Sequence, residues 1–224
     1  MKLSVDTVNI LKNFSLINPS IAFKAGNSLA TMSPQKSVMA RADLDDHFPS
    51  DGAIYDLSRF LGVISLFETP TYNFKENMLE ISGDGKSVSY TFADPSMIIT
   101  PTKESIDIPD PDLDIYITNE MLTNVLRAAN VMSLPEICIR GHKDISIQAV
   151  DSNNPTADNY TQVLGPNETD HNFKFIFKVE NMKLMPYNYH CKITQRGISQ
   201  FTSNNDEGPK LTYWVAIEQN SEFK

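Results

Sequence analysis

Two acidic groupings are the residues best suited to chemistry. Asp43, Asp45, Asp46 and His47 offer three carboxylates and an imidazole that could hold a divalent cation or exchange protons. Asp110, Asp112 and Asp114 alternate, so an extended backbone would put all three on one side. A hard cation needs several oxygens converging from a closed loop, and Pro109 and Pro111 hold the second group extended. Both groups therefore read first as solvated turns. The four histidines, His47, His142, His171 and His190, are too far apart in sequence to make a zinc pair. Cys138 and Cys191 lack paired spacing and read as small buried apolar residues of a reducing compartment. No phosphate-binding glycine loop, dinucleotide fingerprint, His-Glu-x-x-His or Gly-x-Ser-x-Gly occurs. The expectation is a chain without catalytic residues, resident metal or cofactor.

A second kind of chemistry lies in the cations and the helices that carry them. Ser4 reads as the N-cap of a helix over 4–17, with Leu3, Ile10, Phe14 and Ile17 on its apolar side and Leu11 at the edge. Val5, Asn9 and Lys12 point the other way. Asp56 caps a second helix, whose stripe is Leu57, Phe60, Leu61, Ile64 and Phe67, with Arg59 opposite. Thr118 or Asn119 caps a third, striped by Met121, Leu122, Val125, Ala129 and Met132, with Arg127 facing away. A short fourth helix is expected over 178–185, carrying Lys178 and Lys183 and ending at Pro186. These four segments hold five basic and four acidic residues, whereas the rest of the chain holds 14 and 24. If the helices lie together on one face, Lys12, Arg59 and Arg127 form one surface.

The chain around them is rich in short strands. Runs at 20–25, 28–32, 37–44, 52–55 and 72–92 are punctuated by Gly26-Asn27, Ser33-Pro34 and Gly83-Asp84-Gly85. More strands close the chain through Tyr213–Ile217. The opening recurs: Pro19, Ile21, Phe23 and Lys24 are matched by Pro135, Ile137, Ile139 and Arg140 at an offset of 116. A weaker echo sets Ile54 against Ile176 at an offset of 122. Between the copies, residues 95–114 carry four prolines and read as a semi-rigid connector. The expected organisation is α+β, with antiparallel sheets and helices on one side. Its domains are 1–100 and 115–224, joined by 101–114. The order is not a regular βαβ alternation, which argues against a doubly wound parallel sheet.

The 224 residues are 41% hydrophobic and 21% charged, globular proportions that exclude wholesale disorder. A net charge of −9 excludes holding nucleic acid by global attraction, so any such contact is through a local patch or by shape. No apolar run reaches the roughly 18–20 residues of a membrane span. The opening Met1-Lys2-Leu3-Ser4-Val5-Asp6 does not read as a secretion signal.

Ordered residues along nearly the whole chain resemble a family. They include Met1-Lys2-Leu3-Ser4, Leu11-Lys12-Asn13-Phe14, Ala53-Ile54-Tyr55-Asp56-Leu57 with Phe60-Leu61-Gly62, and Ala93-Asp94-Pro95-Ser96. Asn181-Met182-Lys183, Asn188-Tyr189 and Val215-Ala216 continue the series. Together they are similar to the sliding clamps of T-even-type bacteriophages. The resemblance implies two domains of two βαβββ units each, with sheets outside and helices on the inner face. It implies a homotrimeric ring around duplex DNA that confers processivity in viral DNA replication. The implied partners are the replicative polymerase and an ATP-dependent loader, in the cytoplasm of the infected host and away from membranes. It places Lys12, Arg59 and Arg127, with Lys2 and Lys183, toward DNA. It places Ile98, Ile99 and Phe223 in a pocket for partner peptides. Val5 and Asn130 stand where comparable clamps often carry further cations. Two other classes fit the residues alone: a β-rich virion scaffold protein, and a hydrolase using Asp43–His47 with a metal.

Overall fold

The computed structural model of the chain describes residues 1–154, 156–169, 171–204 and 208–224. The chain divides into two compact units, the body of the first being Met1–Ser105 and the second beginning at Ile106.

The first unit opens with α1 (Val5–Ile17). Ser4 Oγ accepts the Thr7 N–H at 3.1 Å and satisfies one of the free donors of the first turn. Ile10, Leu11, Phe14 and Ile17 are buried, the face expected from their spacing. Asn18 ends the helix and then becomes a structural node. Its Oδ1 accepts from the Ser20 N–H, and its Nδ2 donates to the carbonyls of Met32 and Ile99. Strands β1 (Ile21–Phe23), β2 (Gly26–Met32), β3 (Val38–Phe48) and β4 (Gly52–Ile54) follow. β2 pairs antiparallel with β3, β1 with β4, and α1 packs on β2 and β3. Then α2 (Leu57–Ile64), capped by Asp56, packs against α1. A meander of β5 (Thr71–Phe74), β6 (Met78–Gly83) and β7 (Lys86–Thr91) completes the unit. Phe23, Phe48, Phe74 and Phe92 share edge-to-face and tilted contacts within it. Beyond Phe92, Pro95–Met97 makes one 3₁₀ turn and the chain runs without regular structure to β8 (Leu113–Ile117), as the proline content implies.

The second unit repeats the plan. α3 (Asn119–Val131) is capped by Thr118, whose Oγ1 accepts the Met121 N–H at 3.2 Å, and it buries Leu122, Val125 and Ala129. α3 packs on a sheet ordered β11-β10-β9-β12-β16. Its strands are β9 (Glu136–Gly141), β10 (Asp144–Val150), β11 (Tyr160–Pro166), β12 (Phe173–Lys178) and β16 (Glu222–Phe223). A second sheet holds β8 beside β13 (Tyr189–Thr194), then β14 (Ile198–Ser203) and β15 (Lys210–Ala216). The internal repeat has a structural counterpart, but one residue out of the register of the weaker echo: Ile21 faces Ile54 across β1–β4, whereas across β9–β12 Ile137 faces Phe177 and Ile176 faces Cys138, so Phe177 rather than Ile176 corresponds to Ile54.

Each pairing also sets a phenylalanine over a glycine. Phe23 lies opposite Gly52 and Phe173 opposite Gly141, and a Cβ on either glycine would run into the ring. The two copies swap which strand supplies the ring.

The expected fourth helix over 178–185 does not form. Val179–Asn181 makes a single 3₁₀ turn. Lys178, at the cap position, has no side-chain oxygen to bond a first-turn N–H, and Pro186 leaves too few residues to repay helix nucleation.

Candidate nucleic-acid interface

The cations singled out in the sequence sit where the helical stripes put them. Lys12 on α1, Arg59 on α2 and Arg127 on α3 are all exposed, opposite buried apolar faces. In the first unit Lys12 and Arg59 lie on two helices that pack against each other. Lys2, just before α1, is exposed as well. Among the described residues none of these four forms an ion pair, so each ammonium or guanidinium faces solvent uncompensated. Such groups suit contacts with phosphates, which neutralise charge without reading sequence. Lys183 differs. It is half-buried, just past the 3₁₀ turn, and its N–H bonds the Asn181 carbonyl.

Acidic residues near these helices have structural duties. Asp56 Oδ1 accepts the Arg59 N–H at 2.8 Å as the cap of α2. Asp46 accepts the Ser4 N–H at 2.6 Å at the start of α1. Burial alone would raise the Asp46 pKa, but hydrogen bonds from Ser4 and Thr7 outweigh it and hold it below the ordinary carboxylate value. Asp43 pairs instead with Arg41. The Asp43–His47 group is therefore spread over β3, and among the described residues no cluster of three His, Cys, Asp or Glu side chains could hold a metal ion. The second acidic group disperses too: Asp112 accepts from the Gln195 N–H at 2.7 Å, while Asp114 bonds His190 Nε2.

Beside the start of the connector the first unit has a groove of about 320 Å3. Phe23, Gly52 and Pro101 give it apolar walls, while Lys24, Arg41 and Lys103 give it cations. Within its lining Arg41 donates to Glu104 at 3.0 Å, which ties the connector to β3. The two isoleucines proposed for such a pocket behave differently: Ile98 is 7% exposed and packed inside, whereas Ile99 is 42% exposed. Phe223 belongs to the second unit, where its ring lies against Phe173, Phe175 and His171. Arg41 went unremarked in the sequence. It sits in a strand, and only the path of the connector shows that it faces Glu104.

Several strands lie at sheet edges, β7 and β11 among them. In the β5-β6-β7 meander, Met1 exchanges backbone hydrogen bonds with Tyr72 and so covers part of the β5 edge, leaving β7 free. In the α3 sheet, β16 is only two residues long, whereas β11 offers seven residues at the other end, with Val163 58% exposed. Unpaired strand edges are templates for another chain.

The comparisons with known proteins agree with one another. Residues 4–99 match the family model described as DNA polymerase processivity factor, and residues 114–219 match that of the gp45 sliding clamp, C terminal. A protein of Vibrio phage KVP40 called sliding clamp is 30% identical over 97% of this chain and 99% of its own. The sliding clamp of Enterobacteria phage T4 is 30% identical over 99% of this chain and 98% of its own. Among solved structures, A. fulgidus PCNA with the C-terminal region of FEN-1 bound aligns with a TM-score of 0.70 at 14% identity, covering 96% of each chain.

Proposed function

Since the chain belongs to the sliding-clamp family of DNA polymerase processivity factors, we propose that three copies close head to tail into a ring around duplex DNA. The observation that carries the DNA-facing part is the set of unpaired cations on the solvent sides of α1, α2 and α3 in a chain of net charge −9. An acidic outside keeps the duplex from adhering elsewhere, and a few cations on the helices tolerate phosphates passing by. Retention is then topological. Tight base contacts would halt sliding, and three mobile side chains per subunit supply only weak, sequence-blind attraction. Lys12, Arg59 and Arg127 have this role in the present account, with Lys2 beside them and Lys183 at the margin because of its burial.

Ring closure uses the edges of β7 and β11. β7 of one subunit and β11 of the next have nearly equal length, so an antiparallel or parallel join would continue a sheet across the interface. Different edges meet, so the contact is heterologous and closes by rotation, as a ring requires. The groove beside the connector, with Ile99 at the surface nearby, would receive apolar peptide segments of the replicative polymerase and of an ATP-dependent loader. Holding the polymerase on a ring raises its effective concentration at the primer end. No catalytic step is assigned to the chain, and the work takes place in the cytoplasm of an infected bacterium.

Light scattering and primer extension test this reading. A mass about three times that of the chain is expected, together with long products when polymerase and loader are present. Lys12→Glu with Arg127→Glu should shorten the products while leaving the trimer intact. Full-length products from that variant would remove the assignment of these helices to DNA. A monomer at high micromolar concentration would remove the ring.

A further inference from the structure

In the second unit the free side of β12 is covered by the chain itself. Residues 218–224 turn back after β15 and lie along it. The Asn172 N–H donates to the Lys224 carbonyl at 2.9 Å, and the Lys224 N–H returns a bond to the Asn172 carbonyl at 2.8 Å. Glu222 pairs with Lys174 in register. Further along, the Ile176 N–H donates to Ser221 Oγ at 3.0 Å, and its carbonyl accepts the Glu218 N–H at 2.8 Å. Asn172, Lys174 and Ile176 are alternate residues, so the segment meets β12 as an added strand meets a sheet edge. Phe223 is its apolar anchor. The ring stacks on Phe173 and Phe175, with centroids 6.4 and 6.2 Å away, and lies against His171 at 4.7 Å.

The attachment is slight compared with the surface it covers. β16 is two residues long, Phe223 is only half-buried, and Glu222 and Lys224 are exposed. Beneath them, Phe173 and Phe175 are 3% and 0% exposed. Charge holds the segment weakly, because Glu222 and Lys224 pair with each other at the surface, where ion pairs are worth little. A two-residue strand with a half-exposed anchor opens at lower cost than the core under it. A depression of about 410 Å3 adjoins the segment, walled by Gly141, Asn172 and Phe173 together with Glu222 and Lys224, so an incoming chain has room at the edge. We propose that the β12 edge docks an extended segment of a partner protein carrying an aromatic side chain, in exchange for residues 218–224. The seated segment defines the occupant. It must pair its backbone with Asn172 and Ile176 and lay a flat ring on Phe173 and Phe175, a contact that aromatic rings make beyond the area they bury. The tethered segment meanwhile shields the edge from unrelated strands. This site belongs to the second unit and is separate from the groove beside the connector, which belongs to the first.

Measurements on the full chain test the proposal. The probe is a fluorescein-labelled peptide copying residues 218–224. If the chain's own segment is seated in about 90% of molecules, the wild type binds the probe about tenfold more weakly than a vacant edge does. Phe223→Ala, which loosens the segment, is therefore expected to bind the probe about tenfold more tightly than the wild type. Phe223→Leu should fall between the two, and serves if the alanine variant fails to fold. A probe with alanine in place of its phenylalanine should bind neither protein. Amide exchange locates the site: the Asn172 N–H should lose protection in Phe223→Ala and regain it when the probe is added. Equal probe affinity for the wild type and both variants overturns the proposal, as does equal binding of the alanine probe or unchanged protection at Asn172. Light scattering checks the other occupant, a second copy. A rise in wild-type mass with concentration that Phe223→Ala abolishes would mean that copies exchange the segment among themselves, and would overturn the assignment to a partner.

Discussion

Adding one methyl group at Gly141 gives the sharpest test of the packing described above. The residue lies on β9 directly across from Phe173 on β12. A Cβ there would stand 2.8 Å from Cδ1 of that ring and closer still to Cε1 and Cζ. Ordinary carbon contacts are about 3.5–4.0 Å, so the ring must retreat by roughly an ångström. Retreat is restricted, because Phe173 is 3% exposed and stacks on both Phe175 and Phe223. Overpacking of this kind costs about 1–3 kcal/mol, against which alanine recovers about 0.5–1 kcal/mol of chain entropy. The net expectation for Gly141→Ala is a loss of about 1–2 kcal/mol. For a chain of this length each kcal/mol moves Tm by about 2–4 °C, so the melt should fall by several degrees. Melting must be followed at fixed protein concentration, since assembly adds to apparent stability. Phe173→Leu should recover part of the loss when combined with Gly141→Ala. Gly62 on α2 is the contrast: an added Cβ meets nothing within 4 Å, and Gly62→Ala should stabilise by about 0.5–1 kcal/mol. If Gly141→Ala proved as stable as the wild type, the Phe–Gly pairing would not be a packing constraint.

Other perturbations have equally definite outcomes. Asp46 has a lowered pKa in the folded chain, so its contribution is present above the unfolded value of about 3.9 and is lost as pH falls through the lower folded value. Asp46→Asn should therefore destabilise by about 1 kcal/mol at neutral pH, with the difference closing below about pH 4 in urea titrations. Tyr72 is 1% exposed, its hydroxyl has no hydrogen-bond partner among the described residues, and burial pushes its pKa to about 12. Tyr72→Phe should be neutral or stabilise by up to about 1 kcal/mol. It should also blunt the loss of stability between about pH 10 and 12, where the wild-type phenol must be charged on unfolding. Val163→Asp on the open edge of β11 should shift the light-scattering mass from trimer toward monomer without changing the circular dichroism of the chain.

Much of this architecture was legible in the residues. Ser4, Asp56 and Thr118 cap the helices they were expected to cap, because a short oxygen-bearing side chain before an apolar stripe is a local signal. The exposed positions of Lys12, Arg59 and Arg127 followed from the same periodicity. The helix expected over 178–185 is a single 3₁₀ turn because neither a cap nor enough length supports it. What depends on strand register was out of reach. Nothing local in the sequence says that Arg140 faces Lys174, that Gly141 faces Phe173 or that Arg41 meets Glu104, since those partners are 34, 32 and 63 positions apart.

Topological retention on DNA tests the central claim most directly. The clamp is loaded on a nicked circular plasmid with polymerase loader and ATP, separated by gel filtration, and assayed again after one restriction cut. Co-migration with the circle and release from the cut, linear molecule are expected of a closed ring that slides. Equal retention on circular and linear DNA would mean that the chain is held by affinity, and the ring account would be wrong.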